Sequence, residues 1–186
     1  MKRTLIALLA VAAGAHAQTQ DKSLPPLSTF HSSMDAAAHY PTGFSDIPWG
    51  AGVDQAKATM LNKPGVTMEP PNGDGTITFS GGTFAGSPAS SWKLRFRDGR
   101  LDMGEVKIRP NDLKKTYSEL KRELTNKYRK ASREEFGGGI HYATYWEYAT
   151  KEGSWLIVCD INTDGVTVKY EKRQDVAPVK SSTKDL

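Results

Sequence analysis

The sequence predicts an α+β domain built from two αβββ units, with an antiparallel sheet and the helices packed on one face. Three observations support this fold class. Residues 111–131 carry apolar side chains at helical spacing, several other segments alternate apolar and polar residues, and glycine-rich turns separate these segments. The order of one helix and three strands occurs twice, over 52–108 and 111–172, which predicts an internal structural duplication.

The N-terminus predicts a signal peptide over residues 1–17, cleaved after Ala17. A short cationic start precedes an apolar run from Leu5 to Ala13, and Ala15-His16-Ala17 fits the small-x-small cleavage rule. The apolar run is far below the roughly 20 residues that span a bilayer. No cysteine sits at the predicted cleavage point, so a lipid anchor is not indicated. We expect a periplasmic or secreted protein of a bacterium, without a membrane span.

Two further segments flank the predicted folded domain. Residues 18–43 contain prolines, serines and threonines without sustained periodicity, which is typical of a flexible linker. Residues 174–186 are polar and predict a disordered tail. The folded domain is therefore expected over residues 44–173.

The first unit begins with a predicted strand over 44–47 and a turn at 48–50. A short helix follows over 52–62, where Val53, Ala56 and Met60 lie at helical spacing before Pro64-Gly65. Three predicted strands complete the unit, over 76–80, 91–97 and 101–108.

Between the last two of these strands, Asp98-Gly99 predicts a two-residue hairpin turn. Trp92, Leu94 and Phe96 share one face of the first strand. On the returning strand the apolar positions change parity, which predicts a one-residue bulge near Gly104.

The second unit opens with the helix over 111–131, with Asn111 as its expected N-cap. The apolar stripe of this helix consists of Leu113, Tyr117, Leu120, Leu124, Tyr128 and Ala131. Gly137-Gly138-Gly139 then separates the helix from predicted strands over 140–150, 154–161 and 166–172.

Composition limits the functions to be considered. Loss of Lys2 and Arg3 with the signal peptide leaves 23 basic and 21 acidic residues, a net charge of +2. Neither this charge nor any motif predicts a nucleic-acid partner. Cys159 is the only cysteine and lies in an apolar run, so we interpret it as a buried core residue rather than a nucleophile.

The sharpest motif is Asp160-x-Asn162-x-Asp164-Gly165-x5-Glu171, which matches the pattern of an EF-hand calcium loop. Both flanks read as strands, and a strand after Gly165 would carry Glu171 roughly 20 Å away. A hairpin turn is therefore favoured, because Asn, Asp and Gly are also ordinary turn residues. A calcium-dependent envelope protein using residues 160–171 remains an alternative.

The sequence contains two candidate groupings of catalytic residues, and neither is supported by its position in the sequence. His141 lies on the same strand face as Tyr145 and Glu147, but its distance from Glu147 is roughly 20 Å. The pattern Ser118-x-x-Lys121 falls in the middle of a helix and lacks its partner motifs. The sequence therefore predicts no catalytic, cofactor-binding or metal-binding residue, and the remaining enzymatic alternative is a hydrolase built from scattered carboxylates such as Glu147 and Asp160.

Aromatic residues are dense in the second unit, and two interpretations stand. Sheet packing is favoured over a binding platform for a sugar or peptide. The residues concerned are Tyr142, Trp146, Tyr148, Trp155 and Tyr170.

Phe44-Ser-Asp-Ile-Pro-Trp-Gly50, followed by a short amphipathic helix, resembles the opening of exported bacterial proteins of unknown function that carry an F-x-x-I-P-W-G segment. The paired αβββ layout also resembles β-lactamase-inhibitor-like and outer-membrane-assembly-lipoprotein-like scaffolds. This chain differs from the assembly lipoproteins in lacking their lipidated cysteine. The resemblance to these scaffolds implies non-catalytic protein binding.

The sequence thus predicts an exported, non-catalytic binding or structural protein of the bacterial cell envelope. The expected binding surface is the open face of the sheet or the loop at Gly137–Gly139. The expected partner is another envelope or secreted protein, and the sequence leaves the oligomeric state open.

Overall fold

The computed structural model describes residues 40–71, 73, 75–150 and 153–173. The predicted signal peptide, most of the predicted linker and the predicted tail lie outside these residues. Of the described residues, 54% are in strands and 19% are in two helices. The protein is mostly β, and the expectation of an α+β domain with helices packed on a face is wrong.

The helices are α1 (Val53–Leu61) and α2 (Leu113–Tyr128). The strands are β1 (Gly43–Phe44), β2 (Ile47–Pro48), β3 (Val66–Met68), β4 (Thr76–Gly81), β5 (Thr83–Phe84), β6 (Ser87–Arg97), β7 (Arg100–Ile108), β8 (Arg133–Gly138), β9 (His141–Thr150), β10 (Gly153–Asn162) and β11 (Gly165–Arg173).

One antiparallel sheet of nine strands dominates the described part of the chain. Its order is β3-β4-β6-β7-β11-β10-β9-β8, and β5 pairs with β6 beside this path. Each helix is followed by four strands along the path, so the predicted αβββ units are also wrong. Three strands of this sheet were not predicted: β3 and β5, which have three and two residues, and β8, whose charged and glycine residues show no apolar alternation.

The segment before α1 is a hairpin rather than a single strand. Ser45 and Asp46 both have positive φ and form the turn between β1 and β2. Phe44 and Ile47 are completely buried. The Trp49 Nε1 group donates a hydrogen bond of 2.7 Å to the carbonyl oxygen of Pro41, which fixes the chain entering the hairpin.

The bulge predicted near Gly104 is present, but the extra residue is Asp102. Arg95 pairs with Met103 and Phe96 pairs with Leu101, so Asp102 has no opposite residue. Glycine is required at 104 for another reason: a Cβ atom there would overlap the Phe44 ring.

Helix α2 confirms the predicted apolar stripe, since Leu120, Leu124 and Tyr128 are buried. Its N-cap is Asp112 instead of Asn111, and the Asp112 carboxylate accepts a 2.9 Å hydrogen bond from the Lys115 amide. Helix α1 lies within its predicted bounds and buries Ala56 and Met60 in the same core cluster.

Candidate functional site

The open face of the sheet, defined as the face opposite α2, carries paired charges. Asp102 accepts hydrogen bonds from Arg95 Nε at 2.9 Å and Nη2 at 3.1 Å. Arg95 Nη2 also donates to Glu171 at 2.9 Å, and Lys169 lies 3.0 Å from the second Glu171 oxygen. Burial raises the pKa of Glu171, but the hydrogen bonds from Arg95 and Lys169 outweigh it and hold this pKa below its ordinary value.

The candidate acids Glu147 and Asp160 lie on this face but are not brought together. Glu147 pairs with Leu156, four residues from Asp160 along β10, which corresponds to about 13 Å. His141 Nε2 lies 3.4 Å from Asp160 Oδ2, and the His141 side chain is 55% exposed. These groups form a surface pair and no enclosed cluster.

The residues of the calcium motif form a strand-flanked hairpin. Asn162 pairs with Gly165, and the Asn162 side-chain oxygen accepts a 2.8 Å hydrogen bond from the Asp164 amide. Asp164 lies 3.7 Å from Lys107, whereas Glu171 is bound by Arg95 and Lys169. The described residues contain no group of three or more His, Cys, Asp or Glu side chains placed to hold a metal ion.

Cys159 is completely buried in the core, which confirms the interpretation from sequence. Burial raises the pKa of its thiol to about 12, with the Asp160 charge adding to the effect. A thiol with this pKa is not a nucleophile at neutral pH.

Most aromatic residues of the second unit are packing residues, as favoured from sequence. Trp146, Trp155 and Tyr170 are at most 5% exposed. The Trp146 Nε1 group donates to the Arg129 carbonyl oxygen at 3.1 Å, just beyond the end of α2. Tyr142 differs from them and remains 36% exposed.

A concavity with a volume of about 830 Å³ lies between α2 and the β1–β2 hairpin. We call it the α2 groove. Its apolar lining includes Ile47, Phe84, Leu120, Leu124, Tyr128 and Tyr170. The residues of one wall come from α2, and those of the other come from the hairpin and the β5 tip, which lie far earlier in the chain.

Charged groups of both signs lie along the rim of the α2 groove. Asp46 and Lys63 form a 2.6 Å ion pair on the hairpin side. The hydrogen bond and charge of Lys63 lower the pKa of Asp46, and the charge of Lys127 lowers it further. On α2, Glu123 and Lys127 are exposed one turn apart, and neither forms an ion pair with a described residue.

A second surface, the aromatic edge, lies at strand β8 and contains Tyr117, Phe136 and Tyr142. Phe136 is 64% exposed, and its ring centre lies 4.8 Å from that of Tyr142. Tyr117, on α2, lies 6.4 Å from Tyr142 and shares a 2.6 Å hydrogen bond with Thr144. The predicted glycine loop at 137–139 is therefore partly the end of an edge strand.

Sequence reasoning missed both surfaces. Phe136 is preceded by charged residues and followed by glycines, so no periodicity marks a strand there. Five of the six named apolar residues of the α2 groove are core residues, at most 5% exposed, and no local sequence pattern marks the gap between the two distant elements that line it.

Comparison of the chain with protein-family models, curated proteins and solved structures found no match. Within the described residues, neither helix has the length and apolar character needed to cross a membrane.

Proposed function

We propose that this protein is an exported, non-catalytic binding protein of the bacterial cell envelope and that its ligand occupies the α2 groove. The observation that carries this proposal is the groove itself. Its volume of about 830 Å³ falls within the roughly 300–1,000 Å³ typical of ligand pockets. Its lining is mainly aliphatic and aromatic, as such pockets require.

The rim charges define the chemistry of the ligand. An apolar body would cover the accessible apolar residues Pro48, Phe84 and Ala85, displacing water from their surface. Glu123 and Lys127 offer one charge of each sign, so a polar end carrying both signs fits better than an anion or a cation alone. The ligand class is therefore an amphiphile with an apolar chain and a zwitterionic head group.

The dispersed acids support a binding role over catalysis. General acid–base chemistry needs titratable groups held together in a cleft. Glu147, Asp160 and Glu171 lie on the open face instead, and Arg95 and Lys169 neutralise Glu171. Asp46, the acid on the hairpin side of the groove, is tied to Lys63.

The test uses the mature chain, beginning at Gln18, and the fluorescent apolar probe N-phenyl-1-naphthylamine. We expect the probe to bind with enhanced fluorescence and lysophosphatidylethanolamine, a single-chain zwitterionic lipid, to displace it. Palmitate, which has the same kind of chain but only a negative charge, should displace it less well.

Phe84→Asp places a charge in the groove and should weaken probe binding about tenfold, the effect of about 1.4 kcal/mol. Because Phe84 also packs against Trp92, the melting temperature of this variant is measured alongside. Phe136→Asp is the matched control, since it changes an exposed phenylalanine outside the groove, and should leave binding unchanged. Equal effects of both substitutions, or no binding at all, would refute a ligand in the groove.

A synthetic peptide of residues 18–39 provides a further arm, because Tyr40 lies at the groove wall. Displacement of the probe by this peptide would assign the groove to the protein's own chain and would overturn the proposal. Export is tested separately: the proposal requires a mature protein starting at Gln18 outside the cytoplasm, identified by mass spectrometry of cell fractions.

A further inference from the structure

The two ends of the sheet are protected very differently. At one end, β3 has three residues, which is too short to template a long pairing. At the other end, β8 has six residues, of which Glu134, Glu135 and Phe136 are exposed. An edge strand of this length presents backbone groups suited to another strand.

We propose that β8 pairs antiparallel with β8 of a second copy of this chain, so that the two sheets become continuous across a two-fold axis. This inference is independent of the ligand in the α2 groove, since no groove residue takes part. A two-fold contact is isologous, so the same strand must be complementary to itself.

The charges of β8 provide that complementarity. In a two-fold antiparallel pair centred on Glu134, Arg133 of each copy lies opposite Glu135 of the other. Both residues lie on the open face of the sheet, because they alternate with Glu134 along the strand. Opposite charges at directly opposed positions stabilise a strand pair, whereas like charges destabilise it.

The residue on the axis does not oppose this register. Glu134 would lie opposite Glu134 of the second copy, but Lys121 of the same chain already lies 2.8 Å from the Glu134 carboxylate. Each copy therefore brings its own counter-charge to the axis, on the face that α2 covers.

The aromatic edge supplies the apolar part of the contact. Phe136 is 64% exposed and leans on Tyr142, which is itself 36% exposed. In the same register Phe136 lies opposite Ser132 of the second copy, a small residue that leaves space for the ring. Pairing would therefore remove from water the most exposed aromatic side chain among the described residues.

The test is sedimentation equilibrium of the mature chain over micromolar to millimolar concentration. We expect a monomer–dimer equilibrium. Arg133→Glu and Glu135→Arg should each weaken the dimer at least about tenfold, because each places two like-charge pairs across the axis. The double variant that carries both substitutions should restore the wild-type dissociation constant.

Mixing the two single variants separates contact between copies from an effect within one strand. Arg133 and Glu135 also form an ion pair within β8, and each single variant loses it. In a heterodimer of the two variants, the acidic side chain introduced at position 133 of one copy lies opposite the basic side chain introduced at position 135 of the other. The native pair of Arg133 and Glu135 remains at the second site. A heterodimer in the mixture supports the proposed register, and its absence overturns that register.

Two controls complete the experiment. Phe136→Ser should weaken the dimer, whereas Met68→Ser, at an equally apolar and 48% exposed position on β3, should not. Arg109→Glu repeats the charge change at an exposed site outside β8 and should have no effect. A wild-type protein that stays monomeric throughout, or a dimer insensitive to both charge variants, refutes the proposal.

Discussion

The first half of the sheet (β3-β4-β6-β7) and the second half (β11-β10-β9-β8) each have four antiparallel strands along the path, but different segments cover them. In the second half, one helix of 16 residues buries Leu120, Leu124 and Tyr128 over β10 and β11. In the first half, α1 has nine residues and buries only Ala56 and Met60, and the β1–β2 hairpin adds Phe44 and Ile47. Both halves are therefore antiparallel strands, but α2 alone covers the second half, whereas α1 and the β1–β2 hairpin together cover the first.

The α2 groove lies where these two kinds of cover meet. The hairpin reaches Tyr170 through Phe44, at a ring distance of 5.6 Å, and α2 reaches the same residue through Tyr128 at 6.0 Å. The groove is thus bordered on one side by α2 and on the other by the hairpin, with Tyr170 between them.

The largest effect on the free energy of unfolding is expected from removing the buried Phe44 ring of the β1–β2 hairpin. Phe44→Ala should lower the free energy of unfolding by about 3–5 kcal/mol, because a completely buried ring leaves a cavity against Gly104 and Trp92. Leu124→Ala, the matched change under α2, should cost about 2–5 kcal/mol. Urea unfolding measures both, and a loss below about 1 kcal/mol for Phe44→Ala would show that the hairpin is no part of the core.

The next effect concerns the ion pair that joins the halves, between Arg95 on β6 and Glu171 on β11. Arg95→Met leaves two partly buried carboxylates without this cation and should cost about 1–3 kcal/mol. Because the folded-state pKa of Glu171 is lowered, its contribution is present above the unfolded value of about 4.3 and is lost as the pH falls through the folded value.

The melting temperature between pH 7 and pH 3 checks this linkage. We expect the wild type to lose stability toward the acid end, and Glu171→Gln to lose less because one linked proton is removed. Identical acid profiles for the two proteins would contradict a stabilising role for the ion pair between Arg95 and Glu171.

A smaller effect separates the two candidate caps of α2. Asp112→Ala should cost about 1 kcal/mol, since the Asp112 carboxylate accepts the Lys115 amide. Asn111→Ala, one residue earlier, should change the free energy of unfolding by less than about 0.5 kcal/mol. Thermal unfolding of both variants decides between them, and the reverse ranking would restore the cap expected from sequence.

The smallest effect is a gain in stability from a change at the N-cap of α1, in the first half of the sheet. Gly52 caps α1 without a side-chain hydrogen bond, has extended backbone with φ −71°, and has open space around its Cβ position. Gly52→Ser should therefore raise the free energy of unfolding by a few tenths of a kcal/mol, through capping and a less flexible unfolded chain. A melting temperature below that of the wild type would contradict this account of the cap.

Long, periodic elements were predictable from sequence. The stripe of α2, the hairpin turn at Asp98-Gly99 and the three strands after residue 140 follow from local spacing and turn chemistry, and the structure confirms them. Short elements were not: β3 has too few residues for a period, and in β8 the pairing with β9 overrides weak local preference. The fold class was wrong mainly because these strands were missed.

The sequence by itself determined which residues form the apolar stripe of the long helix and the apolar run around Cys159, and hence that Leu120 and Cys159 lie in the core. Local periodicity carries that information because side chains repeat every two residues in strands and every 3.6 in helices. Only the tertiary structure decided that Asp102 is the bulged residue, that Arg95 meets Glu171 across 76 positions, and that a groove opens beside α2. These features depend on register and on the packing of distant segments, which no local pattern specifies.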